Sequence, residues 1–304
     1  MSEASLRQHV DTLLKDLLLP ENRLRLETFR FRGSTNRVYK IPVEEAGKGE
    51  FIILKLLPPR SAYWRKRIKH FFRNLMYGER VVSLGNRRVQ LEIARSREWQ
   101  EAGLCVPEAI ETSIPDIRVF RGLPYPTLYT LLGNQNVSDG KKLEALAAVV
   151  QSLSYQHKKA AEKGHAGLVH GDPGPWNIMF DLETMTTVWF DLEHPDVYPG
   201  MTLEDVMVRG MRIFVYGVLD QMGHASDRFF TILAENYQVD SVLRRLVESM
   251  EHGHGTPAIR LMGMLGMRKG SEERRRQIAT QLSQALHLRD LASTSRNILQ
   301  GTFE

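Results

Sequence analysis

Apolar residues recur along the chain in two rhythms. Leu6, Val10, Leu13, Leu14, Leu17 and Leu18 fall on one stripe of an amphipathic helix, which Pro20 stops. Leu24, Leu26, Phe29 and Phe31 then mark a strand. Gly33-Ser34-Thr35-Asn36 reads as a turn, and residues 37–43 as a second strand. After a polar, glycine-containing loop, Phe51-Ile52-Ile53-Leu54-Lys55-Leu56-Leu57 is continuous enough for a buried third strand. Pro58-Pro59 breaks the chain there, and Trp64, Ile68, Phe71, Phe72 and Leu75 return at helical spacing. A second helix is expected from about Arg88 to Ala102, closed by Gly103 with Pro107 beyond. Residues 108–137 read as short strands and turns, and residues 141–163 as a strong helix. A loop and hairpin are expected over 168–191, and helix almost throughout from Leu203. Strand structure early and helix late predict an α+β chain of two lobes, with a boundary near Leu128 to Asn134.

The chain has 304 residues, enough for two domains or one large two-lobed unit. Its hydrophobic share of 42% and charged share of 25% fit a soluble globular protein and exclude a disordered one. A single cysteine, Cys105, excludes an intramolecular disulfide and a four-cysteine zinc site, and fits a reducing cytosol. No run is long and apolar enough for a spanning helix, and the first twenty residues do not read as a secretory signal. The net charge is +5 and the pI about 9.3, so an anionic partner is expected. The charge is uneven. Arg60, Arg65, Lys66, Arg67, Lys69 and Arg73 lie in a stretch, Leu56 to Gly78, with no acid.

The chemistry-bearing stretch runs His170-Gly171-Asp172-Pro173-Gly174-Pro175-Trp176-Asn177 and continues to Asp191-Leu192-Glu193. Ile178 to Phe180 and Thr187 to Phe190 are expected to pair as a hairpin. A hairpin returns its end to its start, so Asn177 and Asp191 should sit side by side as two oxygen ligands. Hard oxygen ligands suit Mg²⁺, which keeps waters and binds through few protein groups plus phosphate. Asp172 should lie within reach, placed to accept the proton of an attacking hydroxyl.

This pattern resembles the catalytic core of the protein-kinase-like superfamily, in which H-x-D-x-x-x-x-N precedes a metal-binding Asp. The His-Gly-Asp form is similar to the small-molecule branch, which includes aminoglycoside phosphotransferases and lipopolysaccharide kinases. The resemblance implies a bilobal fold with a small β-rich N-lobe, about residues 1–130, and a larger helical C-lobe, about 131–304. It implies ATP and Mg²⁺ as cofactors, Asp172 as catalytic base, Asn177 as a metal ligand and Asp191 as the principal one. His170 is expected to be structural.

Lys55 is the only charge in its apolar strand, and burying an ammonium without a partner is costly. It therefore needs a carboxylate or a phosphate. By resemblance it holds the nucleotide's α- and β-phosphates and pairs with an acid on the following helix. Glu92, Glu98 and Glu101 are the candidates. The resemblance favours Glu92, because in those families the acid lies roughly four turns before a Val-Pro pair and Glu92 stands fifteen residues before Pro107 of Val106-Pro107; Glu98 is the fallback. Gly33, Ser34, Thr35 and Asn36 would offer backbone N–H groups to phosphate, although one glycine is fewer than protein kinases use there. The metal motif is Asp-Leu-Glu rather than D-F-G, and no A-P-E follows it. That leaves little room for a peptide-substrate platform. Glu193 is either a second metal contact or a surface acid. His252 and His254 lack a third ligand and read as a solvated loop.

For the acceptor, the basic segment 60–73 carries an apolar stripe flanked by cations, as an interfacial helix on an anionic surface does. Ser96-Arg97-Glu98-Trp99, the stretch Ala102 to Pro107, and Arg209 and Arg212 after the metal motif are similar to lipopolysaccharide core and Kdo kinases. The expected activity is phosphoryl transfer to a sugar hydroxyl of a glycolipid. The alternatives are a small-molecule kinase of aminoglycoside or choline type, a compact protein kinase, and a pseudokinase. The chain is expected to be cytoplasmic, at the inner face of a membrane if the basic segment docks there, with no nucleic-acid partner.

Overall fold

Alternation along the third strand decides the first sheet. In a strand, successive side chains point to opposite faces, so Leu54 and Lys55 must part company. The computed structural model describes residues 30–31, 37–42, 51–56, 87–110, 117–192, 201–222, 226–252 and 269–301. The expected helix before Pro20, the turn 33–36, the basic segment 60–73, Glu193 and His254 lie outside the described residues.

The described chain divides into two units. The first comprises Met1–Phe72, Val82–Tyr125 and Trp189–Glu193. Its sheet contains β1 (Arg30–Phe31), β2 (Arg37–Pro42), β3 (Phe51–Leu56), β4 (Ala109–Ile110) and β5 (Ile117–Arg121), and its helix is α1 (Arg87–Glu101). The order is β1-β2-β3-β5-β4, antiparallel at every pair. Tyr39 faces Leu54, and Leu54 faces Val119, so these buried side chains line one face. Lys55 faces Arg118, and Ile53 faces Phe120, on the other. On α1, buried Glu92, Arg95, Ser96 and Trp99 recur at helical spacing.

The second unit comprises Arg73–Val81, Pro126–Val188 and His194–Glu304. It opens with α2 (Leu128–Gly133) and α3 (Asp139–Lys163). The hairpin strands are β6 (Ile178–Asp181) and β7 (Thr186–Trp189), the last residue of which belongs to the first unit. Helices α4 (Leu203–Met222), α5 (Ser226–Asn236), α6 (Asp240–His252) and α7 (Lys269–Gly301) follow. The strands-and-turns reading of 108–137 is corrected by α2. Thr127 caps that helix, its hydroxyl accepting the Thr130 N–H at 3.2 Å, and Leu128, Leu131 and Leu132 are buried. Ser138 caps α3, and Gly164, at φ 60°, closes it. Thr202 and Asp205 exchange side-chain and backbone hydrogen bonds at the start of α4, forming a capping box. The architecture is α+β: a small antiparallel sheet with one described helix, and a largely helical remainder. Among the described residues no helix is long and apolar enough to cross a membrane.

Candidate active site

Lys55 and Arg118 are directly opposed on neighbouring antiparallel strands. Like charges in that position repel. The repulsion is relieved by Glu92 of α1, which is almost wholly buried. Lys55 Nζ donates to Glu92 Oε1 at 2.7 Å, and Arg118 Nη1 donates to Glu92 Oε2. Lys55 also donates to Asp191 Oδ1 at 2.9 Å and stands 5.6 Å from the centroid of the Phe120 ring. Among the described residues, these two cations and two carboxylates are bonded to one another within the first unit.

Asp191 belongs to that unit because the segment 189–192 is fastened there. Trp189 N–H donates to Cys105 C=O at 2.9 Å, and its ring packs edge-on to Trp99 at 6.3 Å. Arg95 Nη1 donates to Leu192 C=O at 2.8 Å. Burial pulls the Arg95 guanidinium down to about 10, opposed by the nearby Glu98 carboxylate, so it remains charged at neutral pH. Asp191 itself is left-handed, at φ 63°, a conformation that Asp tolerates better than most residues and that still carries strain.

In the second unit the loop before β6 is organised by its own bonds. The Asp172 N–H donates to His170 Nδ1 at 3.1 Å. Asn177 Nδ2 donates to the Asp172 carbonyl at 2.9 Å. That bond orients the Asn177 amide, with its nitrogen toward the Asp172 carbonyl. Asn177 ends a short 3₁₀ turn, Pro175–Asn177, immediately before β6. Asp191 stands two residues after β7.

Of the residues expected from sequence, Lys55, Glu92 and Asp191 are together in the first unit, and His170, Asp172 and Asn177 in the second. Glu92, not Glu98 or Glu101, is the acid hydrogen-bonded to Lys55. Gly33, Ser34, Thr35 and Asn36 lie outside the described residues, as does Glu193. Arg118 and Arg95 were not expected. Arg118 sits in Ile117-Arg118-Val119, an alternation that reads as an ordinary half-exposed strand. Among the described residues no group of three or more His, Cys, Asp or Glu side chains is placed to hold a metal.

No protein-family model and no curated protein sequence matches the chain. Among solved structures it is similar to an aminoglycoside-3'-phosphotransferase of type VIII, at 14% identity and a TM-score of 0.38. That likeness covers 74% of this chain and 96% of the other.

Proposed function

We propose that the protein is an ATP- and Mg²⁺-dependent phosphotransferase that phosphorylates a hydroxyl group. One observation carries this reading: a lysine in an apolar strand bonded at once to a buried helix acid and to the acid after the hairpin. The donor chemistry fits the absent groups. A polyphosphate drawn to Lys55 would meet the Asp191 carboxylate on the same ammonium. A divalent cation on Asp191 removes that repulsion, so the nucleotide should enter as its Mg²⁺ complex. Asp191 and Asn177 Oδ1 are the hard oxygen donors for it. When bound, the metal neutralises charge on the β- and γ-phosphates.

In this reading residues 1–130 serve the nucleotide, with Gly33, Ser34, Thr35 and Asn36 over the phosphates. Glu92 keeps Lys55 aimed at the α- and β-phosphates. Residues 131–304 supply the base, the metal ligands and the acceptor region. Asp172 accepts the proton of the attacking hydroxyl while His170 holds its backbone. Most of the acceleration then comes from positioning and electrostatics.

The acceptor we propose is a sugar hydroxyl, of the glycolipid type found in the lipopolysaccharide inner core. The acid-free basic segment 60–73 supports it, and would place the enzyme peripherally on an anionic inner membrane face. A cationic acceptor would instead want unpaired acids. Glu204 and Asp205 are both held by Arg245, at 2.6 and 2.7 Å, and Asp220 by Arg274 at 2.6 Å. Hydrogen bonds from Ser241 and Arg245 hold the Glu204 carboxyl below the ordinary range. Those acids are compensated within the helices.

The test is a labelled-ATP transfer assay against lipopolysaccharide, aminosugars and protein, with product masses measured. The reading expects phosphorylated lipopolysaccharide or sugar, and strong loss of turnover in Asp172→Ala with nucleotide affinity nearly intact. Wild-type turnover in Asp172→Ala would remove the assignment. Co-sedimentation with anionic and neutral vesicles tests the surface docking. Binding indifferent to salt and to reversal of Arg65, Lys66, Arg67 and Lys69 would overturn it.

A further inference from the structure

Two adjacent residues in the middle of α3, Gln156 and His157, are fully buried. The His157 ring bonds to the Tyr237 hydroxyl. Gln156 serves a different part of the unit. Its Oε1 accepts the His170 backbone N–H at 3.0 Å. From there the bonds continue along the loop: Asp172 N–H to His170 Nδ1, and Asn177 Nδ2 to the Asp172 carbonyl. Three successive hydrogen bonds therefore run from the interior of α3 to the proposed base and to the proposed metal ligand.

The amide is an expensive choice for packing alone. Gln156 Nε2 is buried with no hydrogen-bond partner. A leucine would fill a similar volume without that penalty. What leucine cannot supply is an acceptor for the N–H of His170, which is itself buried. The bond also settles the orientation of the side chain, with oxygen toward the loop and nitrogen away. Because His170 Nδ1 accepts from Asp172, a neutral His170 ring carries its proton on Nε2.

We propose that Gln156 is a positioning residue for the Asp172 loop: it anchors His170 and thereby sets the backbone from which the Asp172 carboxylate is aimed. This rests on the phosphotransferase reading. Gln156 touches no substrate and acts only through the loop.

The experiment compares wild type with Gln156→Leu and Gln156→Met, full chain, in two measurements. One is γ-phosphate release from labelled Mg·ATP, with water, aminosugars and lipopolysaccharide as acceptors. The other is backbone amide exchange over residues 140–177. The expected result is a fall in kcat of about tenfold or more, since small misplacements of a base are costly. KM for Mg·ATP stays within about twofold, because Lys55 and Glu92 are untouched, by the same positioning logic. Exchange quickens at the His170 and Asp172 amides while α3 keeps its protection. A merely structural role would loosen α3 and the loop together and leave kcat per folded molecule unchanged. Wild-type kcat in either variant, or failure of both to fold, overturns the inference. Wild-type protein that neither binds nor turns over Mg·ATP overturns the phosphotransferase reading itself, and this inference with it.

Discussion

The two units hold the polar groups of the candidate site by different means. In the first, Lys55, Arg118, Glu92 and Asp191 are kept charged and matched against one another. In the second, Gln156, His157 and Tyr237 are kept neutral and tied to fixed partners. Burial depresses His157 to about 3 and pushes the Tyr237 hydroxyl well above its ordinary value, so neither ionises near neutral pH. Matched charges can be re-partnered by an incoming ion, because each group gains as much from a ligand as from its neighbour. A neutral group has no such exchange, and Gln156 is tied to the loop at the His170 N–H. Under the proposed function, the exchangeable charges would serve the nucleotide and the fixed loop would present the base.

Removing the carboxylate at the centre of the charged set should have the largest effect. Glu92→Ala removes the buried carboxylate that Lys55 and Arg118 share, at a cost of about 3–5 kcal/mol. Urea unfolding should register that loss, and Mg·ATP should no longer raise the melting temperature. If Glu92→Ala melts like wild type, the charged set is not what holds the sheet to α1.

The neutral network predicts a pH dependence with a definite sign. His157 is held at about 3 in the fold, against an ordinary value of 6.5. Above 6.5 the ring is neutral in folded and unfolded chains, and its contribution is fully present. Between 6.5 and 3 only the unfolded chain takes the proton, so stability falls with pH by up to about 1.4 kcal/mol per unit. Unfolding curves across that window should be flatter for His157→Phe than for wild type. A slope unchanged by the substitution would place the acid sensitivity elsewhere.

A subtler change sharpens the contrast. Buried ion pairs replaced on both sides by neutral groups often cost little, whereas removing one side costs much. The double variant Glu92→Gln with Arg118→Met should therefore recover most of the stability lost in Glu92→Ala. It should not recover nucleotide binding, because Lys55 is no longer aimed. Recovery of both would make Glu92 a purely structural acid. The smallest effect belongs to exposed pairs: Arg245→Ala should cost no more than about 1 kcal/mol and leave phosphoryl transfer unchanged.

How much of this was legible follows the same division. Lys55 stood out because a lone ammonium in an apolar strand demands a partner. The resemblance favours Glu92, and Glu92 is the acid bonded to Lys55. The hairpin, expected over Ile178 to Phe180 and Thr187 to Phe190, forms at Ile178–Asp181 and Thr186–Trp189. Arg118 was illegible, because its partner lies 26 residues away on a helix and periodicity carries no such information. Gln156 was hidden too: in Tyr155-Gln156-His157-Lys158-Lys159 it reads as part of a solvated face, yet Gln156 and His157 point inward. Helix α2 has only 6 residues between prolines and an Asn-rich turn, too few for a period to show. That Asp191 belongs with the first unit also escaped the sequence, since it depends on Trp189 meeting Cys105 and Trp99 and on Arg95 meeting the Leu192 carbonyl.

The central claim is that Lys55, aimed by Glu92, and Asp191, carrying the metal, together receive a nucleotide. Calorimetric titration of ATP tests it most directly, with and without Mg²⁺, into wild type, Lys55→Met and Asp191→Ala. The account predicts Mg²⁺-dependent binding to wild type, marked weakening in Lys55→Met, and loss of the Mg²⁺ dependence in Asp191→Ala. Absence of any heat from wild type with Mg·ATP, or equal binding by all three proteins, would contradict it.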